Sequence, residues 1–355
     1  MESSSEHSFR HLTELDQKIK TKVSIIFSTH NASPYASPLS LDWLADNDDG
    51  CCAEKEVCIV RTGQASVSKN RSATLAYSQL RVKEVAELVP GLLAGRHRGF
   101  RETTGDILIF LDDDVRVSKG WLDAMLEPFV DPSVHLVGCR YLPNYEVEPP
   151  EWPEQLWTET PEGRYLTYLS LLDNGPENAE ISPTMIWGLC YAIRRETLTK
   201  LGGFHPDAYL WELRRYRGDG ETAPSRLAEQ LKLRAMYQGK TAVYHQIPRW
   251  KMTLEFCERR AYLEGISNSY CRIRREGNAT RKPNLRSRLG LLKAASKIRL
   301  LDRETSIEAI LARIDYSYQR GYAYHQSEVR RDPKLLAWVL REDYWDYRLP
   351  DGWEK

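Results

Sequence analysis

Short apolar segments that alternate with helix-compatible stretches constrain the fold of this chain most strongly. The apolar runs lie at residues 23–28, 57–60 and 106–111, and the helix-compatible stretches lie at about 72–87 and 92–103. A short β-branched run bounded by turn-forming residues predicts a buried strand. Strands that alternate with helices predict a mainly parallel sheet flanked by helices. The fold class that we expect is therefore α/β.

The rest of the chain continues this pattern and then becomes helical. Helices are expected at 121–130 and 225–236, and strands are expected at 134–141 and in the run that ends at His245. Residues 143–161 are rich in Pro and Trp, and a connection of this length predicts a functional or lid loop.

Three regions follow from these patterns. We expect a polar lead at 1–21, an α/β domain at 22–252 and a mostly helical C-terminal region at 253–355. A chain of 355 residues is long enough for about two domains, or for one large α/β unit with an appendage.

Charge and apolar content exclude several classes of protein. Lys plus Arg and Asp plus Glu both number 50, so the net charge is zero and no nucleic-acid partner is expected. The sequence has no run of about 20 apolar residues, which predicts that no segment spans a membrane. The polar N-terminus does not look like a secretory signal, and the seven cysteines show no disulfide spacing. We therefore expect a cytoplasmic protein with reduced thiols.

Three consecutive aspartates, Asp112, Asp113 and Asp114, directly follow the apolar run at 106–111. Carboxylates at a strand end repel one another unless a positive charge lies beside them, and Mg²⁺ or Mn²⁺ is the usual partner. A bare acidic triplet is more often a solvated turn or a helix N-cap. Its position at the end of a parallel strand, where ligands bind in such sheets, favours a cation site. A phosphatase of the haloacid dehalogenase type is disfavoured, because Arg116 stands where its loop has Thr or Val.

Two weaker candidates lie further along the chain. Asp219 and Glu221 lie on a glycine-flexed loop before the helix expected at 225–236, and either carboxylate could be a general base. Acidic residues there could equally stabilise the start of that helix. His245 ends its strand, and neutral imidazole often joins carboxylates around Mn²⁺, although a lone histidine is more often a core or surface residue.

In this order, the segments resemble the family 2 glycosyltransferases with their GT-A nucleotide-sugar fold. The resemblance runs from about residue 23 to His245, and the segment that follows is similar to the tail of one bacterial branch. It rests on five motifs, which read VSIIFSTHN, GLLAGRHRGFRETTGDILIFLDDDV, WGLCYAIRRETLTKLGGF, GDGE and AVYHQIP. The resemblance implies a Rossmann-like, mainly parallel sheet flanked by helices, with a helical C-terminal appendage.

The resemblance also implies roles for single residues. Asp112 and Asp114 would hold a divalent cation, Mn²⁺ or Mg²⁺, and His245 would be a further metal ligand. Glu221 would be the catalytic base, with Asp219 as the runner-up. The positions that would bind the nucleotide-diphosphate sugar are Thr29, Asn31, Arg96, Asp112 and Asp113.

The activity implied by the resemblance is an inverting transfer of a sugar from a nucleotide-diphosphate donor to a hydroxyl of a saccharide or lipid-linked acceptor. The cation would neutralise the charge that grows on the leaving diphosphate. A single carboxylate base would remove the proton of the acceptor hydroxyl as that hydroxyl attacks the anomeric carbon from the opposite face.

The chain departs from the family pattern at several positions. Arg61 follows the second apolar run where the family commonly has an aspartate that contacts the base, and His97 replaces an asparagine. Ser28 stands where proline is usual, and Ala223 and Pro224 replace a Gly-Leu pair. Two other interpretations therefore stay open. One is a nucleotidyltransferase, although such enzymes usually have a glycine-rich basic loop after strand one, and the other is a non-catalytic nucleotide-sugar-binding protein.

A basic segment lies at 272–299, where ten Lys and Arg residues are opposed by Glu276 alone. Such a cluster on helices predicts peripheral association with an anionic membrane surface, on the inner face, and an anionic acceptor or carrier. A solvated helical face whose charges pair elsewhere in the fold is an equal alternative. The ten residues are Arg272, Arg274, Arg275, Arg281, Lys282, Arg286, Arg288, Lys293, Lys297 and Arg299.

Overall fold

One mixed sheet forms the centre of the molecule. The computed structural model describes residues 22–30, 38–46, 54–63, 81–207, 210–278, 306–346 and 349, and within these residues the sheet has twelve strands. Four parallel strands lie in the order β3, β2, β1 and β4. Their bounds are β1 Lys22–His30, β2 Glu54–Thr62, β3 Val82–Glu87 and β4 Ile107–Leu111. Because Phe27 of β1 pairs with Leu111 of β4, the carboxyl ends of these two strands lie side by side.

The other part of the sheet is mostly antiparallel. β11 lies between β4 and β6 and is antiparallel to both, whereas β12 is parallel to β6 and antiparallel to β5 and β10. β9, β8 and β7 extend the edge beyond β6. The bounds are β5 Val115–Val117, β6 Val134–Tyr145, β7 Thr158–Thr160, β8 Gly163–Leu166, β9 Leu171–Asp173, β10 Ala179–Ile181, β11 Cys190–Arg194 and β12 Arg234–Ile247.

Helices cover the sheet and form the C-terminal region. The last three begin at side-chain caps, since Thr253, Ser306 and Asp332 each accept a hydrogen bond from a backbone N–H of the first turn. None of the helices in the described ranges is both long and apolar enough to cross a membrane. The helices are α1 Leu39–Asp46, α2 Leu92–Glu102, α3 Trp121–Leu126, α4 Arg195–Lys200, α5 Thr222–Gln230, α6 Leu254–Glu276, α7 Ile307–Arg331 and α8 Pro333–Leu340.

Alternating side chains of the central strands feed two hydrophobic cores. Ile25 and Ile109 belong to one core, and their neighbours Ile26 and Leu108 belong to the other. The second core also contains Tyr270, Val329 and Trp338 from the three C-terminal helices. Successive side chains of a strand point to opposite faces of the sheet, and both faces are covered here. The apolar residues of β1 and β4 are therefore buried on either face, which explains why these strands appear in the sequence as continuous apolar runs. The C-terminal helices therefore complete a core that begins in the sheet.

Most of the predicted elements are confirmed, and the α/β class with a helical C-terminal region is confirmed. The strands expected at 23–28, 57–60, 106–111 and 134–141 are β1, β2, β4 and β6, and the helix expected at 92–103 is α2. The helix expected at 121–130 is α3, which continues as a short 3-10 turn.

Three predictions about the elements are wrong in part. The helix expected at about 72–87 is wrong over 82–87, which form β3 because β2 offers a parallel partner that outweighs helix propensity; residues 72–80 lie outside the described residues. Residues 234–236 belong to β12, since the helix expected over 225–236 ends at Gln230 and the chain turns through a left-handed Lys232. The stretch 143–161 is not one long loop, because β6 continues to Tyr145 and β7 lies within the stretch.

Candidate active site

The three consecutive aspartates lie at the carboxyl ends of β1 and β4, where contacts from β1, α1 and β12 fix them. Thr29 of β1 donates its hydroxyl to Oδ2 of Asp113. The carbonyl of Asp113 accepts a 3.0 Å hydrogen bond from the N–H of Leu39 at the start of α1, and the carbonyl of Asp114 accepts one of 2.8 Å from Gln246 in β12. The backbone of the triplet is therefore held on both sides.

Asp114 forms a cluster with His245 and Lys251. The pairing of His245 with Val115 across β12 and β5 brings the imidazole beside Asp114, so that His245 Nε2 lies 3.2 Å from Asp114 Oδ2. The other ring nitrogen, Nδ1, donates to the carbonyl of Leu169 at 2.7 Å, which fixes the orientation of the ring. Lys251 Nζ lies 2.7 Å from Asp114 Oδ2 and 2.9 Å from His245 Nε2.

Asp112 and Asp114 have opposite electrostatic surroundings. Burial raises the pKa of Asp112 to about 8, and the charges of Asp114, Asp113 and Glu221 add to this shift although Arg96 opposes it. Burial also acts to raise the pKa of Asp114, but the adjacent His245 and the hydrogen bond and charge of Lys251 outweigh it and hold the pKa well below the usual range. Burial and the neighbouring carboxylates therefore disfavour the ionised form of Asp112, and a bound cation would restore it.

Arg96 of α2 joins this strand end to Glu221. Its side chain is only 3% exposed, and its guanidinium donates to Glu221 Oε2 at 3.0 Å and to the carbonyl of Gly188 at 3.1 Å. The same guanidinium lies 3.8 Å from Asp112 Oδ1. It also lies over the ring of Phe204, 5.1 Å from the ring centre. The buried guanidinium of Arg96 therefore lies close to the carboxyl groups of both Asp112 and Glu221.

Gly188 lets Arg96 and Glu221 approach the backbone. Its N–H donates to Glu221 Oε1 at 2.9 Å while its carbonyl accepts from Arg96. A Cβ at this position would lie 2.3 Å from the Arg96 guanidinium and 2.8 Å from Glu221 Oε1, so any larger residue would displace one of the two. Glycine is therefore required here by close approach of the backbone to two charged side chains.

Glu221 and Asp219 differ in what surrounds them. Although burial acts to raise the pKa of Glu221, Arg96 and backbone N–H groups lower it below the usual value, so the carboxylate is ionised at neutral pH. Its side chain is 20% exposed. Asp219 is only 7% exposed and accepts hydrogen bonds from His205 Nδ1 at 3.0 Å and Cys271 Sγ at 3.1 Å. Glu221 is therefore grouped with Arg96 and Asp112, and Asp219 is grouped with α6.

Two of the departures from the family pattern have structural partners. Arg61 belongs to β2 and pairs with Glu84 of β3 at 2.6 Å, and both side chains are only 4% exposed. His97 is buried, its Nδ1 donates to the carbonyl of Tyr344, and its Nε2 accepts from the N–H of Phe204. Burial lowers the pKa of His97 to about 3, so the ring is neutral. These two side chains connect elements of the fold.

The structure brings most of the expected site residues to one place. Asp112, Asp113 and Asp114 cluster with Thr29, Arg96, Glu221 and His245 around the ends of β1 and β4. Asn31 lies outside the described residues. The sequence analysis did not single out Lys251 or Gly188. Both lie at the site only because of how the backbone folds in space, which the sequence pattern does not show. A basic residue six positions after His245 was the only signal for Lys251.

The side chains at this strand end include the donor atoms that a divalent cation needs. Among the described residues, no three His, Cys, Asp or Glu side chains converge as a ready-made metal centre. Asp114 Oδ2 and His245 Nε2 nevertheless lie 3.2 Å apart with the imidazole oriented by Leu169. A carboxylate oxygen and an imidazole nitrogen suit Mn²⁺, and a cation bound beside Asp112 would favour the ionised form of that carboxyl group. The residues therefore fit a divalent cation, at a position that the ammonium of Lys251 now shares.

The architecture and the acidic strand end define the chain as having the GT-A glycosyltransferase fold. A solved structure with this fold is the mannosyltransferase PcManGT from Pyrobaculum calidifontis in complex with GDP-Man and Mn²⁺. It is 16% identical in sequence, with a TM-score of 0.51 over 92% of this chain and 94% of that chain.

The sequence comparison points to the same class of protein. The model of Glycosyl transferase family 2 matches residues 24–196 of the chain. The chain is 31% identical over 118 residues to the pre-mycofactocin glycosyltransferase of Mycobacterium tuberculosis, a match that covers 32% of this chain and 23% of that protein. It is 20% identical over 179 residues to the glucosyl-dolichyl phosphate glucuronosyltransferase of Haloferax volcanii, covering 50% of this chain and 54% of that protein. The chain thus matches about half or less of the length of these relatives.

Proposed function

We propose that this protein is an inverting glycosyltransferase that moves a sugar from a nucleotide-diphosphate donor to a hydroxyl of a saccharide or lipid-linked acceptor. The observation that carries the proposal is the joining of Asp112 and Glu221 by the buried Arg96. This arrangement places a cation-attracting strand end beside an ionised carboxylate, in a chain that has a sugar-transferase fold and matches a sugar-transferase family model. In this proposal, a cation held at the strand end assists departure of the diphosphate, and Glu221 activates the acceptor hydroxyl.

Glu221 is the base in this proposal. Its ionised form at neutral pH can accept a proton from an acceptor hydroxyl as that hydroxyl attacks the anomeric carbon from the face opposite the diphosphate. Arg96 orients the carboxylate and keeps it ionised. Asp219 is the less suitable base, because its side chain is only 7% exposed and lies against Cys271 of α6, whereas Glu221 is 20% exposed beside the acidic strand end.

Asp112, Asp114 and His245 would hold the divalent cation, Mn²⁺ or Mg²⁺. Such a cation supplies charge neutralisation for the leaving diphosphate. Support comes from the fit of the donor atoms and from the solved mannosyltransferase, which is bound to GDP-Man and Mn²⁺. Thr29, which orients Asp113, would help to position the nucleotide, together with Arg96 and Asp113 itself.

The proposal is tested by incubating the protein with a panel of nucleotide-diphosphate sugars and Mn²⁺ and detecting released nucleoside diphosphate by mass spectrometry. At least one donor should be consumed, and Asp114→Asn should abolish this consumption while it leaves the circular dichroism spectrum unchanged. Donor binding without release would support a non-catalytic binding protein instead. Formation of a nucleotide sugar from a nucleoside triphosphate and a sugar phosphate would support a nucleotidyltransferase.

A further inference from the structure

The ammonium of Lys251 lies at the point where the lone pairs of two ligand-type atoms converge. Its Nζ is 2.7 Å from Asp114 Oδ2 and 2.9 Å from His245 Nε2, and these two atoms are 3.2 Å from each other. All three side chains are largely buried, with 14%, 19% and 7% of their surfaces exposed for Lys251, Asp114 and His245. Lys251 is therefore built into the cluster and is not a surface lysine that meets an acid by chance.

The orientation of His245 makes its Nε2 an acceptor. Since Nδ1 is committed to the carbonyl of Leu169 at 2.7 Å, Nε2 of the neutral ring presents a lone pair. A lysine ammonium has only donors, so it can satisfy this lone pair and the Asp114 carboxylate at the same time. The same two acceptors are those that a divalent cation would use.

An ammonium and a metal ion cannot occupy this point together. Metal ligands lie about 2.0–2.2 Å from ions such as Mg²⁺ or Zn²⁺, whereas the ammonium makes hydrogen bonds of about 2.8 Å to the same atoms. The two cations would then be within about 4 Å of each other, where like charges repel strongly in a partly buried site. Entry of the metal therefore requires Lys251 Nζ to move away.

We propose that Lys251 is an internal counter-cation that occupies the metal position in the metal-free protein and is displaced when a divalent cation binds. Lys251 keeps Asp114 ionised and satisfies the lone pair of His245 Nε2. It lowers the affinity for the metal because it competes for the same two atoms. The flexible four-carbon stem of lysine allows the ammonium to withdraw without a change in the backbone. The inference depends on the proposed function only for the position of the metal, and not on sugar transfer.

The experiment is a titration with Mn²⁺ alone, without nucleotide, followed by the electron paramagnetic resonance signal of free Mn²⁺. Lys251→Met removes the charge with little loss of side-chain length and should bind Mn²⁺ at least about tenfold more tightly than the wild type, because no charged hydrogen bonds must be given up. Lys251→Gln should show the same gain if the methionine variant does not fold. Lys251→Arg, which retains the charge, should bind Mn²⁺ no more tightly than the wild type.

Two controls assign the gain to this site. Lys240→Met removes an exposed lysine from the same strand as His245 and should leave Mn²⁺ affinity unchanged. Adding Asp114→Asn to Lys251→Met should remove the gained affinity. Equal or weaker Mn²⁺ binding by both neutral variants, no Mn²⁺ binding by any variant, or a gain that survives Asp114→Asn would overturn the inference. Because no donor sugar is present, none of these results depends on whether the protein transfers sugar.

Discussion

Two carboxylates that are two residues apart in the chain have different surroundings in the fold. Glu221 faces Arg96 and Gly188 beside the acidic strand end, whereas Asp219 is enclosed with His205 and Cys271. Glycine at 220, which has a φ of 57°, turns the chain between them. The two carboxylates therefore differ in role because they lie in different surroundings, and not because one is Asp and the other is Glu.

We predict that Glu221→Gln lowers kcat by at least about 100-fold and changes donor affinity little, since a base acts on the acceptor and not on the diphosphate. Steady-state kinetics and a separate donor-binding measurement check this split. Asp219→Asn is the matched control and should act mainly on stability. If Asp219→Asn is the inactive variant and Glu221→Gln keeps a near-normal rate, the assignment of the base is wrong.

The sequence predicted the identity of the acidic residues better than their partners. Asp112 to Asp114 stand out in the sequence because the triplet directly follows a buried parallel strand, the position at which ligands bind in such sheets. Lys251 and Gly188 do not stand out, because their roles depend on where a short turn and a backbone carbonyl lie in space. The structural role of Arg61 was also missed, since its partner Glu84 lies on a strand that the sequence pattern presented as helix.

At the scale of elements, α6 and α7 pack with their backbones in near contact. Gly321 of α7 lies against Tyr262 of α6, and Gly265 of α6 lies against Tyr318 of α7. A Cβ at Gly321 would be 1.8 Å from the carbonyl oxygen of Tyr262, a contact that a flexible side chain cannot relieve. The pair of helices therefore depends on these two glycines.

Gly321→Ala should destabilise the protein by about 3 kcal/mol, although alanine in an unpacked helix is more stable than glycine by about 1 kcal/mol. The added methyl group must push the two helices apart. Urea unfolding followed by circular dichroism measures the change. Gly277→Ala is the control, because open space surrounds that position and only its left-handed conformation opposes the alanine, at about 1–2 kcal/mol. A Gly321→Ala variant as stable as the wild type would contradict this packing.

The same helix pair should make stability depend on pH through His325. Burial, with a smaller contribution from the charge of Arg215, lowers the pKa of His325 to about 3, and its Nδ1 is bonded to Ser269 of α6. In the unfolded chain the pKa is about 6.5, so between pH 6.5 and 3 the unfolded state binds more protons than the folded state. Stability is therefore expected to fall with decreasing pH over this range, by about 1.4 kcal/mol per pH unit for this histidine.

His325→Asn checks this prediction, because asparagine can still bond to Ser269 but cannot take up a proton in this range. We expect a less stable protein at pH 7 and a shallower loss of stability between pH 6 and pH 5 in urea unfolding. Buried His97 should contribute a similar slope that the variant retains. An unchanged slope in the variant would mean that His325 is not a source of the pH dependence.

At the scale of the whole molecule, the C-terminal helices and the sheet share one hydrophobic core, to which Tyr270, Val329 and Trp338 belong. The domain boundary expected near residue 252 remains a prediction. Of the basic segment expected to meet a membrane, Arg272, Arg274 and Arg275 are described. Arg272 pairs with Glu276 and Arg274 donates to the carbonyls of Val339 and Arg341, whereas Arg275 is exposed at the end of α6. The residues from 279 to 299 lie outside the described ranges.

Membrane association is therefore predicted to depend on Arg275 and on the lysines and arginines between 281 and 299. Vesicles that contain anionic lipid should co-sediment with the protein at low salt and release it at high salt, at about 1 kcal/mol per basic residue near the surface. Charge-neutral vesicles are the control. Binding that salt does not weaken, or no binding to either vesicle, would count against peripheral association and would leave sugar transfer untouched.

The central claim is that Glu221 and the acidic strand end together perform an inverting sugar transfer. The most direct test is to follow the anomeric proton by NMR during the first minutes of donor turnover, before the free sugar equilibrates. We predict that the newly transferred or released sugar has the anomeric configuration opposite to that in the donor, and that Glu221→Gln abolishes the signal. A product that retains the configuration of the donor, or a signal that Glu221→Gln leaves unchanged, would contradict the claim.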